Sequence, residues 1–79
     1  MTDATLLRRY HAALSEARTN DQLTNYHIDF WFQQGDVGTE TWPAGIKAIR
    51  LAHRQRVRGE GSPAACDTAL NEALRSIGQ

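Results

Sequence analysis

Leu6, Tyr10, Ala13, Leu14 and Ala17 recur at three- and four-residue spacing while Arg9 and Glu16 fall opposite, which predicts an amphipathic helix over residues 2–18. Thr2 or Asp3 can cap its start. A second start follows at Thr19, because Gln22 stands three residues on at capping-box spacing and Asp21 sits where a helix N-terminus favours negative charge. Leu23, Tyr26, His27, Phe30 and Trp31 then share one face, and Gly35 supplies the stop. The same stretch has another reading. Tyr26, Ile28, Phe30 and Phe32 alternate, and their aromatic and β-branched side chains suit a strand that turns over residues 35–38 and returns through Thr39 to Trp42. The cap, the glycine stop and the place of Leu23 agree on the helix. A hairpin over about residues 26–42 is the alternative.

Residues 35–41 have the composition of a loop, with Gly35, Asp36, Gly38 and Thr39 as turn formers. Pro43 then opens a third helix. Trp42, Ile46, Ile49, His53 and Val57 lie on one side of it, and Gly45 and Ala52 widen that side where a neighbouring backbone can come close. Gly59, Glu60 and Gly61 break the chain, after which Ser62 as N-cap and Pro63 at the first helical position begin a fourth helix. Cys66, Ala69, Leu70, Ala73, Leu74 and Ile77 form its apolar stripe, and Gly78 ends it. The expected fold class is all-α, a compact bundle of three or four helices in a single domain over residues 1–79, with a small α+β fold as the alternative.

Composition narrows the class further. With 79 residues, 41% of them hydrophobic and 23% charged, the chain has material for one core only. The lone Cys66 rules out an intrachain disulfide and fits a reducing compartment. No apolar run approaches the roughly 18–20 residues of a membrane span, and the first residues lack the apolar segment of a signal peptide, so the expected location is cytoplasmic.

Charge is sorted along the chain rather than mixed. Residues 47–58 hold five bases and no acid, residues 19–46 hold four acids and no base, and the whole sums to zero. Attraction for a charged partner must therefore come from one face. At about 100° per residue, Lys47, Arg50, Arg54 and Arg58 fall in one stripe of the third helix while Arg56 points elsewhere. Such a ridge can meet phosphates or an acidic protein surface, since the planar guanidinium makes paired bonds to either. A pI near 6.8 favours protein over nucleic acid as the direct partner, and the loop over residues 35–41 is longer than the turn of a helix-turn-helix. The plain alternative is a solvated face partly neutralised by Asp29, Asp36 or Glu40. A second surface is apolar: on a helix, Ile28 and Phe32 lie on a flank otherwise made of Asp21, Asn25 and Asp29. They form a binding or self-association patch there, unless the fourth helix covers them.

No catalytic, cofactor or metal signature accompanies these surfaces. His11, His27 and His53 come from separate segments without ligand spacing, and read as hydrogen-bonded structural residues. Cys66 is one turn into its helix, where a thiol can be activated, yet it centres the apolar stripe and reads as core. Asp29 and Glu40 are carboxylates whose separation nothing fixes. The expectation is a non-enzymatic protein that needs no cofactor and works by binding a protein partner, a small nucleic-acid-binding regulator and a homodimeric interaction module being the alternatives. In its shortness, neutral charge, helical patterning and charge-sorted aromatic surfaces, the whole chain resembles the small accessory proteins of phages and other mobile elements, anti-CRISPR proteins among them. The resemblance is one of size and style and involves no motif. It implies a stoichiometric inhibitor that docks on a nucleic-acid-handling complex and blocks target DNA. The acids Asp21, Asp29, Asp36 and Glu40 would then stand in for phosphates, or the Arg ridge would grip an acidic surface.

Overall fold

The computed structural model describes residues 2–33 and 43–78, and among them four helices form: α1 (Asp3–Ser15), α2 (Asn20–Gln33), α3 (Gly45–Val57) and α4 (Pro63–Ser76). The structure is an all-helical bundle, and residues 26–33 belong to α2 rather than to a hairpin. The three expected hydroxyl N-caps are in place, and the Gly35 stop lies outside the described residues. Thr2 Oγ1 accepts the Thr5 N–H at 3.1 Å, Thr19 Oγ1 accepts the Gln22 N–H at 3.1 Å, and Ser62 Oγ accepts the Ala65 N–H at 3.2 Å. The Gln22 side chain reaches back one residue further than a capping box requires and takes the Arg18 N–H at 2.8 Å.

That bond explains why α1 stops at Ser15, short of the expected end at residue 18. In a continuing helix the Arg18 N–H would bond the Leu14 carbonyl. Gln22 takes the donor; Leu14 O accepts the Ala17 N–H at 3.0 Å in a tighter last turn, and Arg56 Nη2 from α3 adds bonds to Leu14 O at 3.1 Å and to Ala17 O at 2.9 Å. A cation thus sits on the carbonyls at the end of α1, the charge the helix dipole favours there.

α3 lies along α4, and α1 touches all three other helices; among the described residues α2 packs on α1 and α3 and makes no contact with α4. The core consists of Leu6, Leu7, Tyr10, Leu14 and Ala17 from the first segment, Leu23 and Phe30 from α2, Ile46 and Ile49 from α3, and Ala73 and Leu74 from α4. Leu7 is fully buried although it lies beside the stripe that periodicity marks, because a helix with three neighbours buries more than one face. Gly45 lets α3 close on α4: a Cβ there would overlap that of Ala73 and stand 3.4 Å from Leu7 Cδ2. The far end of α3 closes in a Schellman turn, with Gly59 at φ 78°, its N–H on Arg56 O at 3.1 Å and the Glu60 N–H on Gln55 O at 2.9 Å.

Candidate interaction surfaces and the buried polar relay

The cationic stripe forms as its spacing predicts. Lys47, Arg54 and Arg58 are exposed and Arg50 is half-buried. Lys47, Arg50, Leu51 and Arg54 line one shallow concavity of about 300 Å³; Arg58 stands beyond it, at the C-cap of α3. Leu51 is 54% exposed in the middle of these charges. Among the described residues the one contact of ion-pair distance is His11–Asp67, away from the stripe, so no carboxylate described here, Asp29 included, neutralises it. Asp36 and Glu40 lie outside the described residues.

Opposite the core side of α2, Phe32 is 86% and Ile28 54% exposed, with Asp21, Asn25 and Asp29 exposed beside them. The fourth helix does not cover them, since α4 never reaches α2. Asp29 also borders a groove of about 370 Å³ between α1 and α2, which Ala13, Glu16, Tyr26, Phe30 and Gln33 complete.

A third constellation joins residues far apart in sequence. Arg56 Nε donates to His53 Nδ1 at 3.2 Å, His53 Nε2 meets His11 Nδ1 at 3.0 Å, and His11 Nε2 meets Asp67 Oδ1 at 3.1 Å. A guanidinium can only donate and a carboxylate only accepts, so the hydrogens have a single order. His53 Nδ1 accepts, hence its Nε2 carries the hydrogen; His11 Nδ1 accepts that hydrogen, hence its Nε2 carries one and gives it to Asp67. The result is a directed chain from cation to anion, Arg56 to His53 to His11 to Asp67, which ties α1, α3 and α4 together. His53 is buried, and its pKa is lowered to about 4 by burial first, then by His11 and Arg56, so it is neutral at physiological pH, as the chain requires. The Cys66 thiol is also buried against Arg56, and burial raises its pKa in spite of the guanidinium. A pocket of about 240 Å³ opens on this junction between Ser15, Arg18, Pro63 and Asp67. Both nitrogens of His11 and of His53 are engaged within the cluster, and burial favours the protonated thiol of Cys66. Among the described residues no group of His, Cys, Asp or Glu is arranged to hold a metal ion.

The remaining histidine organises the α1–α2 contact. Trp31 Nε1, which can only donate, bonds His27 Nε2 at 3.0 Å, so the ring hydrogen is on Nδ1 and points to the Tyr10 hydroxyl 2.7 Å away. Burial, with Arg50 as a second cause, lowers the His27 pKa to about 4; burial also raises the Tyr10 pKa. Arg50 thus stands beside this cluster while its neighbours face solvent.

Sequence reasoning places the ridge and the α2 flank and misses the relay. Its signals were present singly: a histidine inside an apolar stripe, and one arginine off the angle of the other four cations of α3 and its cap. Nothing in local spacing links residues separated by 42 and 56 positions. No helix among the described residues is long and apolar enough to cross a membrane. Comparison of the chain with protein-family models, with curated proteins and with solved structures returns no match.

Proposed function

We propose that this chain is a non-enzymatic, protein-binding inhibitor that docks through the α3 ridge on an acidic surface of a nucleic-acid-handling complex. The observation that carries the reading is the concavity of Lys47, Arg50 and Arg54 around the half-exposed Leu51, without a neutralising carboxylate among the described residues. Unpaired cations steer an anionic partner onto one face of a chain whose net charge is zero. Leu51 supports a protein partner. An apolar side chain amid cations fits an acidic amphipathic protein surface, whereas a phosphate backbone would leave it without a counterpart. Phe32 offers a second, aromatic anchor. The setting, a mobile-element inhibitor of the anti-CRISPR kind, rests on the resemblance in size and style.

The test is affinity capture with the tagged chain from nuclease-treated bacterial lysate, beside the variant Lys47→Glu/Arg54→Glu. Both residues are exposed, so the variant keeps its helicity. A specific partner held by the native chain and lost by the variant supports the reading, and equal retention by both overturns it. Binding of free duplex DNA that weakens steeply with salt would replace it with a nucleic-acid-binding regulator, since released counterions drive that association.

A further inference from the structure

The exposed large apolar side chains of the described residues fall in two places with opposite surroundings. Ile28 and Phe32 on α2 stand with the exposed carboxylates Asp21 and Asp29; Leu51 on α3 stands with Lys47, Arg50 and Arg54. One surface sets acids beside an aromatic anchor, and the other is a basic concavity that Leu51 helps to line. Each has what the other lacks. The helices that bear them, α2 and α3, pack on each other.

We propose that a second copy of this chain occupies these surfaces, with the Phe32 flank of each copy seated on the Lys47–Arg54 ridge of the other. Phe32 then meets Leu51, and Asp21 and Asp29 face Lys47 and Arg54. Each copy carries both surfaces, so a two-fold pair forms the contact twice and closes, where a single-sided contact would grow into a chain. Zero net charge leaves no long-range repulsion between copies, and the local complementarity orients them. This pairing goes beyond the functional reading above and has a consequence for it. The paired form covers the ridge, so an outside partner must compete with a second copy, and the chain is most available to that partner when dilute.

Sedimentation equilibrium of the native chain over a wide concentration range, at low and high salt, reads the pairing directly. The expected result is a monomer–dimer equilibrium that salt weakens. Two charge-reversed variants sharpen it: Lys47→Glu/Arg54→Glu and Asp21→Lys/Asp29→Lys, all at exposed positions, with folding checked by circular dichroism. Each alone places like charges across both contacts and weakens pairing by roughly a hundredfold. Mixed in equal amounts they are complementary at both contacts, and a one-to-one heterodimer returns. Phe32→Ala weakens the native pair with no change in its salt dependence. A native chain that stays monomeric throughout overturns the proposal, as does a dimer indifferent to either reversal or a mixture that fails to pair. A monomeric native chain that still captures a partner from lysate sinks this pairing alone; a salt-sensitive dimer that captures nothing sinks only the functional reading.

Discussion

Arg54 and Arg56 are the same residue type, two positions apart on α3, and the protein uses them for opposite ends. Arg54 is exposed on the ridge and lines a concavity open to solvent. Arg56 turns inward, where it ends α1 through two carbonyls and starts the histidine chain. The difference lies in what surrounds each guanidinium. One keeps its charge for whatever docks on it, and the other has its charge consumed by dipoles of the fold. A run of cations along a helix is therefore not one surface, and a count of five bases overstates what a partner can meet.

The comparison is broken most directly by truncation. Arg56→Ala leaves Ala17 O and His53 Nδ1 without their donor and Leu14 O with only the Ala17 N–H, and should destabilise the fold by about 3 kcal/mol in urea unfolding, the upper end of what a bond from a charged donor contributes. A loss as small as that of a surface residue would show that water replaces the guanidinium and that the junction does not depend on it.

Acid attacks the same side. The folded His53 takes a proton near pH 4 and an unfolded one near 6.5, so over that interval the unfolded chain binds more protons and stability must fall as pH falls. His27, lowered to about 4 as well, adds in the same direction. The His53 contribution is fully present above pH 6.5 and on the order of 3 kcal/mol is lost by pH 4, at about 1.4 kcal/mol per unit. Thermal melts across this window should drop steadily while the ridge cations keep their charge. A flat profile would mean that the histidine chain opens without cost. The smallest effect is expected on the other arginine: Arg54→Ala should change unfolding free energy by less than about 0.5 kcal/mol, and a larger value would place Arg54 in the fold rather than on the docking surface.

The same contrast explains how much could be read in the sequence. Helices are written locally. Thr2, Thr19 and Ser62 announce their helices by a hydroxyl three residues before the amide it caps, and Gly59 announces a stop by the φ it alone adopts easily. The ridge is also local, because 100° per residue fixes which cations of one helix align. The α2 flank follows from the same angle once the strand alternative falls. The relay is not local. It needs α1, α3 and α4 to be docked before His11, His53, Arg56 and Asp67 become neighbours, and Gly45 against Ala73 sets how closely two of those helices approach. Even the end of α1 at Ser15 is a tertiary fact, since Arg56 comes from 39 residues beyond Ala17 to hold the carbonyl there.

The order of hydrogens in that relay has a consequence for how the sequence can drift. Each histidine accepts on one side and donates on the other, so replacing one by a residue that cannot do both interrupts the chain between the Arg56 donor and the Asp67 acceptor. A substitution at His11 is tolerable only with a matching one at His53 or Asp67, and one at His53 only with a matching one at Arg56. The four positions are inherited as a word rather than as letters, and diverging descendants of this chain should rewrite them together while the ridge changes one residue at a time.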